Sequence, residues 1–107
     1  MRLSIIVEDG TICKDGVCYM KLDMAFMPTD QRAFQWYDTI GEIEYFPVII
    51  DGKRIQPPNQ FTTDFTPYNQ ALVEWQQAND AAQAALQAAL QAAPQDQQPS
   101  TSGTQTL

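Results

Sequence analysis

LSIIVEDGTICKDGVCYMKL, residues 3–22, holds two Asp-Gly pairs, Asp9-Gly10 and Asp15-Gly16, each set between short runs of Ile, Val, Thr, Cys and Tyr. Asp-Gly is favoured in a two-residue hairpin loop because a type I′ turn needs positive φ at both central positions. Three short antiparallel strands, over residues 3–7, 11–14 and 17–22, are the expected outcome. A third pair, Asp51-Gly52, separates Val48-Ile49-Ile50 from Lys53-Arg54-Ile55 and predicts one more hairpin.

Between these hairpins, residues 33–37 and 42–46 alternate well enough to be strands joined through Asp38-Thr39-Ile40-Gly41. Side chains alternate along a strand, so Phe34 and Trp36 share one face, Ile43 and Tyr45 share another strand's face, and Gln35, Glu42 and Glu44 point the other way. One side of the sheet is then core and the other wet, the ordinary antiparallel arrangement. Residues 24–32 read as a loop that tucks Met24, Phe26 and Met27 under the sheet, the methionines filling gaps. Residues 56–64, with Pro57-Pro58 and no clean period, read as an extended connector.

Beyond that connector the composition changes to mostly Ala and Gln. All six basic residues (Arg2, Lys14, Lys21, Arg32, Lys53, Arg54) precede it, and from Ile55 onward every charged side chain is acidic. Thr66-Pro67 is a helix start, with a hydroxyl at the N-cap and proline at the first helical position. The expected organisation is an antiparallel β domain over residues 1–66, an amphipathic helix over 67–93 and a polar tail over 94–107 too poor in apolar side chains to fold alone. This is an α+β chain: a small antiparallel β meander or hairpin domain followed by one long C-terminal α-helix. Within the helix Tyr68, Leu72, Trp75, Asn79, Ala82, Leu86, Ala89 and Ala93 are spaced alternately by four and three, the a/d seam of a heptad. Tyr68, Leu72, Trp75, Asn79 and Leu86 are therefore the candidate interface residues of the helix. The same spacing is also satisfied if the first two turns dock on the sheet and the rest extends into solvent.

A net charge of −7 argues against nucleic-acid binding, which rests on clustered Lys and Arg. No stretch approaches the roughly 18 apolar residues of a membrane span. Residues 1–7 meet Glu8 and Asp9 too soon to form the apolar core of a secretion signal, so synthesis in a cytoplasm without a cleaved leader is expected. The core-forming part is small, and small domains often complete their stability through partners, staples or oligomerisation.

Cys13 and Cys18 flank the Asp15-Gly16 turn and stand directly opposite one another in a two-residue hairpin, so a cross-strand disulfide is geometrically open. For a chain made in a reducing cytoplasm free thiols are the expectation, with oxidation open after release. Two cysteines supply only two ligands and the chain has no histidine, so neither a zinc site nor any other cofactor is expected. Without histidine a Ser-His or Cys-His nucleophile cannot be assembled within the chain. Glu42 and Glu44 fall on the expected solvent side, where a solvated pair is the plainer reading than an acid and base. Trp36, Tyr37, Tyr45 and Phe46 could form an aromatic binding platform, although at strand spacing they read first as core. A non-enzymatic chain is expected.

The opening Leu3-Ser4-Ile5-Ile6-Val7-Glu8-Asp9-Gly10-Thr11, the following Lys14-Asp15-Gly16-Val17-Cys18-Tyr19, and above all Ala33-Phe34-Gln35-Trp36-Tyr37-Asp38-Thr39-Ile40-Gly41-Glu42-Ile43-Glu44 resemble a group of small proteins from tailed bacteriophages and prophages. Those proteins are similar in layout: a β-rich start, a Gln-Trp segment and a variable helical end. The resemblance spans residues 2–75 and implies a virion component associated with the tail or tail fibres, with phage structural proteins or its own copies as partners. It transfers no catalytic or ligand residue. A non-virion accessory, either a fibre assembly chaperone or a small acidic inhibitor of a host factor, is the alternative.

Overall fold

The computed structural model describes residues 1–92, so the polar tail expected over 94–107 lies outside the described residues. The strands are β1 (Arg2–Ile6), β2 (Thr11–Lys14), β3 (Val17–Tyr19), β4 (Gln31–Tyr37), β5 (Ile40–Tyr45), β6 (Val48–Ile50), β7 (Lys53–Ile55) and β8 (Gln60–Thr62). A 3₁₀ turn (Thr66–Tyr68) then leads into α1 (Asn69–Ala92). The fold is α+β: one six-stranded antiparallel sheet in the order β3-β2-β1-β4-β5-β8, a separate β6-β7 hairpin, and one C-terminal helix.

Two Asp-Gly pairs make the turns that their residues demand. Asp15 and Gly16 sit at φ 49° and 88°, and Asp51 and Gly52 at 50° and 75°, so each closes a two-residue loop between paired strands. Asp9-Gly10 departs from the expectation. Ile6 pairs with Thr11, and Val7 joins the turn as its first residue, its carbonyl accepting from the Gly10 N–H at 3.1 Å. Gly10 sits at φ +61° and lies against the chain leaving β3, where a Cβ would come within 2.9 Å of the Leu22 carbonyl oxygen. That close pass is held by Leu22 N–H donating to the Gly10 carbonyl, and it bends the chain away after Tyr19, which ends β3 earlier than expected. The β4-β5 connection is also tighter than expected: Tyr37 pairs with Ile40, leaving only Asp38-Thr39 in the turn.

Registers place Leu3 opposite Trp36, Ile5 opposite both Ile12 and Phe34, and Phe34 opposite Ile43. These side chains form one buried layer, closed from above by Tyr68, Ala71 and Trp75 of the helical segment and by Met27. Met24 and Phe26 are partly buried against it, as expected for the loop that carries them. Burying a Leu, Ile or Phe side chain is worth about 1.5–3 kcal/mol each, so this layer is the main source of stability. The Tyr68 ring stacks on Phe34 with centroids 3.6 Å apart and planes 9° from parallel, and its hydroxyl donates to Gln31 Oε1 at 2.6 Å.

Residues 56–64 are not wholly a connector, because β8 adds to the free edge of β5 through Gly41↔Thr62, Glu42↔Phe61 and Ile43↔Gln60. A three-residue edge strand carries too short a pattern to be seen before its partner is known. The helix start is corrected as well. Phe65 precedes the 3₁₀ turn, and Thr66 is its first residue, with Pro67 following. The cap comes from Asp64, whose Oδ1 accepts from the Thr66 N–H at 3.0 Å, while the Asp64 N–H donates to Thr62 Oγ1 at 3.0 Å.

The Thr66 backbone N–H, and secondarily its hydroxyl, hold the Asp64 carboxyl below the ordinary aspartate value of 3.8. A depressed value in the folded state means that Asp64 contributes stability above its ordinary value and loses it as pH falls through the depressed one. Asp64→Ala is therefore expected to melt below the wild type at neutral pH, with the gap closing under strongly acid conditions. Thermal unfolding over a pH series checks this; a gap that stays constant into acid would show that the carboxylate is not the cap.

Candidate functional site

The described residues offer partners three surfaces. The first is the β6-β7 hairpin, an arm that pairs with neither edge of the main sheet. Its register sets Val48 against Ile55, Ile49 against Arg54 and Ile50 against Lys53, so Val48, Ile50, Lys53 and Ile55 share one face. Val48 is 41%, Ile49 70%, Ile50 54% and Ile55 42% exposed. An isolated two-stranded hairpin is at best marginally stable in water, and three consecutive β-branched residues ordinarily mark a buried strand. Among the described residues nothing packs over the arm closely enough to bury any of these four side chains.

The second surface is the far part of α1. The helix starts over Phe34 of β4 and crosses to the opposite edge of the sheet, where the Trp75 Nε1–H donates to the Val17 carbonyl at 2.8 Å and the Tyr19 hydroxyl donates to Asn79 Oδ1 at 2.7 Å. Past that edge every residue from 80 to 92 is exposed, with Leu86 at 52% and Leu90 at 63%. At 1.5 Å per residue this undocked stretch projects about 20 Å. Its docked first half supplies the helical nucleus that a short isolated Ala-rich helix lacks.

The helix candidates divide accordingly. Tyr68 and Trp75 are buried in the chain's own core, and Asn79 is bonded to Tyr19, so these three serve docking rather than an interface with another chain. Leu72 is partly buried and lines an open groove of about 480 Å³ with Met1, Lys14, Val73, Gln76 and Gln77. Leu86 stays exposed. The four-three spacing marks one real helix face, and the sheet takes its first half.

The third surface is the outer face of the sheet. Cys18, Cys13, Ser4, Gln35, Glu42 and Phe61 form one continuous row across all six strands. The Ser4 hydroxyl donates to Gln35 Oε1 at 2.8 Å, and the Arg2 guanidinium lies 4.8 Å above the Tyr37 ring. A polar groove of about 470 Å³ runs here between Arg2, Asp15, Gln35 and Tyr37. Glu42 accepts from Asn59 Nδ2 at 3.0 Å, and Glu44 lies 3.6 Å from the Arg32 guanidinium, so both carboxylates have surface partners. Of the aromatic platform, Trp36 is in the core layer, which removes its face from a ligand.

Cys13 and Cys18 face each other in register and are joined in a disulfide, which corrects the expectation of free thiols. The tight Asp15-Gly16 turn already brings the two side chains together, so the bond closes a loop that the turn has largely closed. Reduction is expected to lower stability by no more than about 2 kcal/mol and to leave the fold intact, because a short loop removes little entropy from the unfolded chain. Thermal unfolding with and without reductant measures this; a reduced protein that is unfolded at room temperature would make the bond essential.

Among the described residues no helix is long and apolar enough to cross a membrane. The arm is the element that sequence reasoning left without a role. Its signal was the run Val48-Ile49-Ile50, apolar at every position beside a strand carrying Lys53 and Arg54, a pattern that fits neither a buried strand nor a half-wet one. Compared with known protein families, with curated proteins and with solved structures, the chain finds no match.

Proposed function

We propose that this chain is a non-enzymatic structural and interaction component of a bacteriophage particle, associated with the tail or tail fibres and assembling through its β domain and C-terminal helix. The observation that carries the assembly role is the pair of elements that project from the packed layer with exposed apolar side chains, the β6-β7 arm with Ile49 and Ile50 and α1 beyond Asp80 with Leu86 and Leu90. Exposed apolar patches of this kind mark interaction surfaces. The phage setting is supported by the resemblance of residues 2–75, in particular the Gln35-Trp36 segment. In the structure that segment is part of the sheet, with Trp36 facing the core and Gln35 the outer face.

Mass spectrometry of purified, disassembled virions, counting copies of this chain per particle, tests the reading. A fixed count in multiples of three or six is expected for a symmetric tail. Absence from particles, with the chain present only in infected-cell lysate, would overturn it in favour of a non-virion accessory.

A further inference from the structure

We propose that the groove on the outer face of the sheet is a thiol-exchange site, in which a small thiol bearing a carboxylate is held by Arg2 and attacks the Cys13–Cys18 disulfide at Cys13 Sγ. This goes beyond the assembly reading and does not depend on it. Strand register builds the site. Arg2 and Ser4 leave β1 on the outer face, with Asp15 and Cys13 beside them on the β2 side and Tyr37 and Gln35 on the β4 side. All six line the groove of about 470 Å³. Ser4 is the smallest of them and lies between the disulfide and Gln35, so the groove passes over it.

A thiolate attacks a disulfide in line with the bond that breaks, giving a mixed disulfide and a leaving thiolate. Cys18, Cys13 and Ser4 stand opposite one another across β3, β2 and β1, so the side of Cys13 Sγ away from Cys18 opens over Ser4, into the groove. The leaving side chain, Cys18, is exposed, and water receives it. The thiol first gives its proton to water. Its sulfur then bonds to Cys13 Sγ as the Sγ–Sγ bond breaks, and that bond's electron pair goes to Cys18 Sγ, which takes a proton from water. The incoming sulfur is oxidised and the Cys18 sulfur reduced, so the step balances. A second thiol of the same kind, attacking the incoming sulfur, releases Cys13 and completes the reduction.

Arg2 sets the ligand class. Its guanidinium lies 4.8 Å from the Tyr37 ring centroid and makes no ion pair among the described residues, which leaves its N–H groups to donate to a carboxylate. Gln35 accepts the Ser4 hydroxyl on Oε1 and keeps its amide N–H donors on the same groove. Asp15, the one acid lining it, has Oδ1 committed to the Arg2 backbone N–H at 2.8 Å. Behind Cys18 there is no such arrangement, because β3 is the edge strand and thiols of any charge meet that sulfur from solvent. A carboxylate-bearing thiol thus has a second route that a neutral thiol lacks. The net charge of −7 repels anions in general, so a preference for the anionic thiol reports the groove and not the protein's overall field.

The test is the rate of disulfide reduction in the full chain by mercaptopropionate and by mercaptoethanol, followed by acid quenching and thiol counting. Each rate is expressed per thiolate and relative to the same thiol acting on an unstructured cystine peptide. The wild type is expected to favour mercaptopropionate about fivefold, the size of one exposed ion pair. Arg2→Gln removes the cation. Ser4→Val fills the groove behind Cys13 with a side chain that suits a strand. Both variants are expected to lose the preference and to leave the mercaptoethanol rate unchanged, and a thermal melt confirms that each folds. A wild type without the preference overturns the site. So does an Arg2→Gln protein that keeps it, or a Ser4→Val protein that keeps it, since entry would then not run through the groove. A fall shared equally by both thiols in either variant also overturns it, because the substitution would then act on the bond itself.

Discussion

Gly41→Ala is expected to cost about 2–3 kcal/mol and to lower the melting temperature by roughly 10–20 °C, since each kcal/mol is worth about 4–8 °C in a domain of this size. Gly41 lies in β5 directly opposite Trp36, on the face that forms the core. A Cβ there would stand 2.6 Å from Phe34 Cε1, 2.7 Å from Phe34 Cζ and 2.9 Å from Trp36 Cε3. Neither ring has somewhere to go. Phe34 is fully buried and stacked on Tyr68, which is itself tied to Gln31, and the Trp36 indole N–H is committed to the Asp38 carbonyl at 3.1 Å. The control is Gly52→Ala in the β6-β7 turn, where φ is +75° but nothing lies within 4 Å of the added methyl group. That variant bears only the left-handed backbone penalty of about 1 kcal/mol, confined to the arm. Chemical denaturation of both separates crowding from backbone preference. A Gly41→Ala protein as stable as Gly52→Ala would mean that the core relaxes around the new methyl group.

Gly41 also separates what local sequence encodes from what the assembled sheet adds. Its place in a turn, Asp38-Thr39-Ile40-Gly41, was the natural reading of a glycine between two strand-like runs. It is a core position instead, because the turn closes on Asp38-Thr39 and the glycine is needed for space under two aromatic rings. Elements set by local chemistry were legible: Asp15-Gly16 and Asp51-Gly52 fold as their positive φ preference requires, and the inward face of Phe34 and Trp36 follows from alternation alone. Elements set by a distant partner were not. β8 exists only because β5 has a free edge, and the Asp9-Gly10 turn widened because Gly10 must pass close to Leu22. The helix lies between these cases. Its face was readable from four-three spacing, but alanine and glutamine suit a docked surface and a wet one equally, so nothing in the residues says that the sheet ends near Asn79. The opposition of Cys13 and Cys18 was readable from the turn, whereas their bonding depends on redox conditions that spacing does not encode.

Trp75→Ala is expected to have the largest effect of any single substitution in the helix, a loss of about 3–5 kcal/mol. Globular domains hold about 0.05–0.15 kcal/mol per residue, about 5–16 kcal/mol for a chain of this length, so a loss of this size removes a large share of the stability. The indole is buried against the β2-β3 hairpin, with its N–H on the Val17 carbonyl, the Lys14 ammonium 4.7 Å from its ring centroid and the Tyr19 ring edge-on at 5.8 Å. No other side chain of α1 makes that many contacts with this edge of the sheet; beyond it only the Tyr19–Asn79 bond remains. Tyr68 would still anchor the first turn over Phe34, so the expected intermediate is a β domain with its helix loosened beyond that turn. Trp75→Phe keeps the aromatic contact and gives up only the hydrogen bond and some area, for a smaller loss of about 1–1.5 kcal/mol. Far-UV circular dichroism together with thermal unfolding distinguishes these cases: the alanine variant should lose helix signal at a temperature where strand signal persists. A simultaneous loss of both would make the helix an inseparable part of the core. Helicity unchanged from wild type would mean that α1 holds itself without the sheet, and the undocked stretch would then need no docked half to present Leu86 and Leu90 to a partner.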